Sequence, residues 1–165
     1  LIDFLDGEDE LASILGHELG HIELEHTLYE MRNAVAGKMW QQATGAKDMD
    51  SGMTKWIKQG YSVEIEAEAD ARGIALAAAA GYDPRALIGV LERFRSRTNS
   101  YGGANYPVQR AAMAEKAAAA LPAPAAEAVA KRTERFRAVR AQMRAAAPSP
   151  APAPKTSSQK KGKKG

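Results

Sequence analysis

Two imidazoles flank a carboxylate in the run His17-Glu18-Leu19-Gly20-His21. On a helix, side chains four apart share a face one turn apart, so His17 and His21 can offer nitrogens to one metal ion. Glu18, beside the first histidine, is placed to take a proton from a water held at that metal. The chemistry this describes is zinc-assisted hydrolysis of a peptide bond. Two solvated histidines on a polar helix face would be the plainer explanation. It accounts poorly for the spacing, because two of the chain's three histidines fall inside the motif.

A catalytic zinc takes three protein ligands and leaves one position open to water. The metzincin spacing would place a Gly and then a His after the motif. Those places hold Leu24 and Thr27, and His26 is one residue out of phase. Continued as one helix, the chain sets His26 roughly 140° around from His21. The other common solution is a Glu from a second helix, and Glu64-Ile-Glu-Ala-Glu-Ala-Asp-Ala-Arg72 supplies candidates. Glu66 and Asp70 are four apart and share a face, while Glu68 points away from them. Glu66 reads as the third ligand and Glu64 as its rival. Asp70 reads as the hydrogen-bond partner that holds a ligand imidazole by its other nitrogen. One zinc ion per chain is expected.

These side chains need a rigid pair of helices. Ile2, Phe4 and Leu5 precede the acidic turn Asp6-Gly-Glu-Asp-Glu10, whose carboxylates favour a helix start. Leu11, Ile14, Leu15, Leu19, Ile22 and Leu24 are expected to fix the first helix from behind, with His17, Glu18 and His21 facing a cleft. On the second helix Ala67, Ala71, Ile74, Ala75 and Ala78 read as the packing face. The interval from Thr27 to Gly60 suits one or two short helices, broken near Gly45 to Gly52, that cover one wall of the site. Trp40 and Trp56 belong in the core or the groove wall, since large aromatics mainly bury area. Ala86, Leu87, Val90, Leu91 and Phe94 form an amphipathic helix after the start signal Asp83-Pro84. Tyr101-Gly-Gly-Ala-Asn105 reads as a loop by its glycines.

Taken in order, Asp9-Glu-Leu-Ala12, Gly16-His-Glu-Leu-Gly-His-Ile22, Glu66-Ala-Glu-Ala-Asp70 and Ala80-Gly-Tyr-Asp-Pro-Arg-Ala86 resemble the CAAX-prenyl-protease-like zinc peptidases of the HtpX–BepA type. The resemblance covers about residues 1 to 116. It implies a gluzincin endopeptidase with zinc on His17, His21 and Glu66 and with Glu18 as general base. Family members usually carry a His-Pro pair and a later Arg that approach the active site. The matching stretch here is Asn105-Tyr-Pro-Val-Gln-Arg110, with Tyr106 in the place of the His. A tyrosine hydroxyl can donate to a developing oxyanion, although Tyr106-Pro107 suits a plain turn equally well. Arg110 stands closer to the Pro than the family spacing places it. In the family, sheet strands precede the zinc helix and line the substrate groove. The chain therefore reads as a fragment: the mainly α portion of an α+β metallopeptidase domain, with the N-terminal strands missing.

At 165 residues the chain is long enough for one domain. Three stretches are expected: a partial metallopeptidase domain over 1–120, an Ala-rich basic amphipathic helix over 121–147 and a Pro/Ala- and Lys-rich disordered tail over 148–165. Charge divides accordingly. Residues 1–130 hold 12 Lys/Arg against 19 Asp/Glu, and residues 131–165 hold 11 against one, within an overall charge of +3. Val129, Phe136, Val139 and Met143 share one side of the basic helix. Prolines make 148–154 an extended linker, and the lysine-rich end cannot bury enough apolar area to fold. The tail offers an electrostatic contact to an anionic surface, yet nothing interleaves aromatics with the basic residues as base stacking requires, so no specific nucleic-acid binding is expected. A helix docked on the domain is the plainer use of 131–144. No apolar run is long enough to span a bilayer. The absence of cysteine excludes disulfides and any cysteine-ligated zinc. The resulting expectation is a metalloendopeptidase acting on proteins or peptides, outside the cytoplasm of a bacterium (in the periplasm or at a membrane), in protein quality control. The competing expectation is a catalytically degenerate binding or chaperone-like module, its metal site closed by a fourth ligand such as His26.

Overall fold

The computed structural model describes residues 1–45, 60–97 and 106–146. Among them every regular element is a helix and there is no strand, in accord with the mainly α expectation. The order is α1 (Glu8–Glu23), α2 (His26–Thr44), α3 (Val63–Ala79), α4 (Ala86–Arg97), α5 (Tyr106–Ala119) and α6 (Ala126–Ala146). Trp56 and the stretches 46–59, 98–105 and 147–165 lie outside the described residues, and so do the glycine loop of 101–105 and the lysine-rich tail.

Local chemistry explains the boundaries. Glu8, Asp9 and Glu10 put negative charge on the first turn of α1, where the helix dipole favours it. Gly45, at φ 67°, closes α2 in the left-handed conformation that suits glycine. Ser62 caps α3 by accepting a hydrogen bond from the Ile65 amide. Pro107 occupies the first turn of α5, where its missing N–H is no loss, so Tyr106-Pro107 begins a helix and is not a free turn.

The core gathers Leu5, Ile74, Leu87, Val90, Leu91, Ala114, Ala118 and Phe136, drawn from the N-terminal segment and from α3 to α6. Phe4 and Phe94 meet at its edge with ring centroids 4.6 Å apart. Phe136 brings α6 onto the same core as the residues before 120. Four arginines of α6 bond to other parts of the chain. Arg132 makes a two-point pair with Asp9, Arg135 pairs with Glu8, Arg144 pairs with Asp3, and Arg140 donates to the Leu5 carbonyl.

Three packing expectations need correction. On α1, Leu11 and Ile14 do reach the core, but Leu15 and Ile22 are 54% and 72% exposed, and Leu19 and Leu24 are exposed too. The face that α1 buries holds Asp9, Ser13, Gly16, Gly20 and His21. On α3 the buried set is Ala67, Ala69, Asp70, Gly73, Ile74 and Ala77, and Ala71 is exposed. The cause is close approach. The two helices meet through small residues, and a face of leucines would hold them apart. Trp40, expected in the core or groove wall, is 62% exposed on α2, which runs unbroken to Thr44.

Candidate metal centre

The approach of α1 to α3 brings the chemistry together. A Cβ on Gly16 would lie 2.6 Å from the Gly73 carbonyl oxygen, and one on Gly20 would lie 2.8 Å from that of Ala69. Both are closer than side-chain carbons come to backbone, so only glycine permits this crossing. It sets the next residues of α1 against the preceding turns of α3. His17 Nε2 and His21 Nε2 face each other at 3.1 Å. The Glu66 carboxylate lies opposite them, with its oxygens 3.6 Å from His17 Nε2 and 3.9 Å from His21 Nε2. One donor atom from each of the three residues falls within 4.8 Å of the other two. Glu64, the rival ligand, is exposed at the start of α3, outside this group.

Each histidine is held by its other nitrogen. His17 Nδ1–H donates to Asp70 Oδ1 at 2.8 Å, which leaves the Nε2 lone pair for the centre. Asp70 is 1% exposed and also accepts from Arg110, Nε to Oδ2 at 2.8 Å and Nη2 to Oδ1 at 2.6 Å. The third guanidinium nitrogen, Nη1, lies 2.7 Å from Glu66 Oε2. One buried arginine thus ties the candidate ligand Glu66 to the residue that orients His17. The altered spacing after Pro107 did not foreshadow this, because the register of α5 against α3 is a tertiary fact.

His26 lies where no single helix would put it. Glu25 adopts a left-handed conformation, φ 55°, and breaks the chain between α1 and α2. The break swings the ring back until its Nδ1 is 2.9 Å from His21 Nδ1. That overturns the 140° separation expected for a continuous helix. It also places His26 behind His21, facing the nitrogen that points away from Glu66. Tyr61 completes the enclosure. Its ring stacks on His21 with centroids 4.4 Å apart, and its hydroxyl is 2.7 Å from Thr27 Oγ1. The sequence carries no sign of Tyr61, whose role depends on where the chain enters α3.

Electrostatics suit a metal. Burial, and after it the neighbouring His17, His26 and Arg110, pushes the His21 imidazole down to about 4. It is therefore neutral near pH 7, the form a ligand requires. Burial alone would raise the Asp70 carboxyl, but the hydrogen bonds from His17 and Arg110 outweigh it and hold Asp70 below the usual carboxylate range. Two imidazole nitrogens and a carboxylate oxygen form a donor set that zinc accepts. Glu18, next to His17 on α1, is exposed. Tyr106 opens α5 four residues before Arg110, and its side chain lies outside the described residues.

The sequence matches the model of peptidase family M48 over residues 1–148. It is also similar to the mitochondrial metalloendopeptidase OMA1 of Arabidopsis thaliana, at 28% identity over 97 residues. That match takes in 56% of this chain and 20% of the relative, so the chain spans about a fifth of that protein's length. No solved structure matches.

Proposed function

Because the chain belongs to peptidase family M48, we propose that it is a zinc-dependent metalloendopeptidase whose ion is held by His17, His21 and Glu66. The observation that carries the reading is the convergence of two histidine Nε2 atoms and the Glu66 carboxylate, with each histidine fixed from behind. Zinc held there supplies Lewis-acid chemistry: it polarises the scissile carbonyl and makes water a stronger acid.

The protein's own groups do the rest. Asp70 keeps the proton on His17 Nδ1 and so keeps Nε2 available. Arg110 fixes the Glu66 and Asp70 carboxylates together, so neither needs to reorganise when substrate arrives. Glu18 takes a proton from the attacking water on its carboxylate. The water oxygen bonds to the peptide carbon, the C–N bond breaks, and Glu18 returns that proton to the leaving amine. In this reading Tyr106 donates its hydroxyl to the oxyanion that develops on the carbonyl. The substrate class is protein or peptide. A quality-control role outside the bacterial cytoplasm, in the periplasm or at a membrane, extends the reading on the resemblance alone.

Glu18→Gln tests it. Hydrolysis of an unfolded protein substrate should fall by about 10²–10⁴-fold while bound zinc per chain is unchanged. Undiminished hydrolysis in that variant would remove Glu18 from the mechanism.

A further inference from the structure

His17 and His21 are equivalent in the motif but are held differently. His17 leans on a carboxylate. His21 leans on another imidazole, and His26 is buried, spending Nδ1 on His21 at 2.9 Å. Its Nε2 is fully enclosed, makes no hydrogen bond, and has the Glu68 carboxylate as its charged neighbour, 3.4 Å away on the rim of the site.

We propose that His26 is a positioning residue for the metal ligand His21 and does for His21 what Asp70 does for His17. The inference rests on the zinc-site reading above.

Donor and acceptor roles follow in order from that reading. If His21 Nε2 gives its lone pair to the ion, the one proton of the neutral ring sits on Nδ1. A proton on His21 Nδ1 can be accepted 2.9 Å away only by an unprotonated His26 Nδ1. His26 then carries its proton on Nε2, whose charged neighbour is the Glu68 carboxylate 3.4 Å away. Each of the two rings then has a single tautomer. The three residues come from separate elements, which argues against coincidence. His21 closes α1, His26 opens α2 after the left-handed turn at Glu25, and Glu68 stands on α3. The strained turn has a use here, since it is what returns His26 to His21. Tyr61 stacked on the His21 ring limits its rotation, and His26 then selects the orientation that aims Nε2 at Glu66.

The readout is zinc affinity, measured on the full chain by competition with a chelating dye. His26→Phe keeps ring volume but has no acceptor. It should weaken zinc binding by roughly 10–100-fold, the effect typical of losing a residue that orients a ligand. His26→Asn restores an acceptor oxygen near the Nδ1 position and should recover affinity to within about threefold of the parent, where a purely space-filling role predicts no recovery. Should the Phe variant fail to fold, His26→Ala against His26→Asn poses the same question. Parent-like affinity in the Phe or Ala variant would overturn the proposal, as would an Asn variant no better than either. If the unmodified folded chain bound no zinc, the metal-site reading itself would fall, a result separate from equal affinities among variants that do bind.

Discussion

Gly73 on α3 packs directly against the backbone of His17 on α1: a Cβ built on Gly73 would overlap the His17 nitrogen and Cα. That contact decides how far the ligand-bearing helix stands from the helix that carries Glu66 and Asp70. Gly16 answers it from the other side, against the Gly73 carbonyl. The distance between two backbones, rather than any side-chain bond, is what brings a carboxylate within reach of both histidines.

Gly73→Ala should therefore separate α1 from α3, destabilise the fold by roughly 1–3 kcal/mol and weaken zinc binding. Gly89→Ala provides the contrast. Its Cβ would meet nothing closer than 3.6 Å, and alanine favours the interior of α4. That variant should hold or gain stability by up to about 1 kcal/mol. Urea unfolding of the metal-free chain measures both. Equal responses at 73 and 89 would mean that the close approach does not limit the site.

Asp70→Asn should do two kinds of damage. The buried Arg110 loses one of its two carboxylate partners but keeps Glu66, so the cost should fall below the figure of about 3–5 kcal/mol for leaving a buried charge unpaired. His17 also loses the charged acceptor that fixes its tautomer, which lowers zinc affinity by roughly 10–100-fold. Unfolding without metal reports the first effect and zinc titration the second. A variant with parent-like values in both would show that Asp70 anchors nothing.

The two candidate glutamates can be separated directly. Glu66→Ala should weaken zinc by more than the roughly 100-fold that losing a supporting residue costs, because a donor atom is gone. Glu64→Ala should leave affinity as it was, since that side chain is exposed at the helix start. The opposite ranking in a chelator competition would transfer the ligand role to Glu64.

What could be read from the sequence was what helical periodicity governs. The spacing of His17, Glu18 and His21, the shared face of Glu66 and Asp70, and the helix after Pro84 are local patterns, and all of them lie on helices here. Packing was harder to read. A search for apolar stripes selects Leu15, Leu19 and Ile22, whereas the buried face of α1 is made of Gly16, Gly20 and Ser13, which score as neutral. The left-handed Glu25 leaves no mark in sequence, because no glycine or asparagine stands there. The places of His26 and Arg110 follow from that turn and from the register of α5, both set by tertiary contacts.

Acid should weaken the ion pairs that join α1 to α6. Burial would raise the Asp9 carboxyl, but the Arg132 pair and the Asp83 amide outweigh it and hold it low. Glu8 is lowered first by Arg135 and further by Tyr82, against its own burial. A folded-state pKa below the unfolded one stabilises the protein at pH values above the unfolded value. That stability is lost as pH falls through the folded value. The part of the unfolding free energy that these carboxylates supply should accordingly decline below about pH 4, and Asp9→Asn should flatten that decline. An Asp9→Asn profile parallel to the parent's would locate the acid sensitivity elsewhere.

The docking of α6 permits a test between two forces. Its arginine pairs to Glu8 and Asp3 involve exposed guanidinium groups, and such pairs contribute about 0–1 kcal/mol each. Phe136 is buried among Leu5, Leu87 and their neighbours, and deleting a ring from such a place costs about 3–5 kcal/mol. Phe136→Ala should therefore destabilise the chain far more than Arg144→Ala, which should change it by less than about 0.5 kcal/mol. Raising salt to 1 M screens the exposed pairs and should leave the parent's unfolding midpoint nearly unchanged. Had the ionic pairs held α6, the ranking of the two variants would reverse and salt would lower the midpoint steeply.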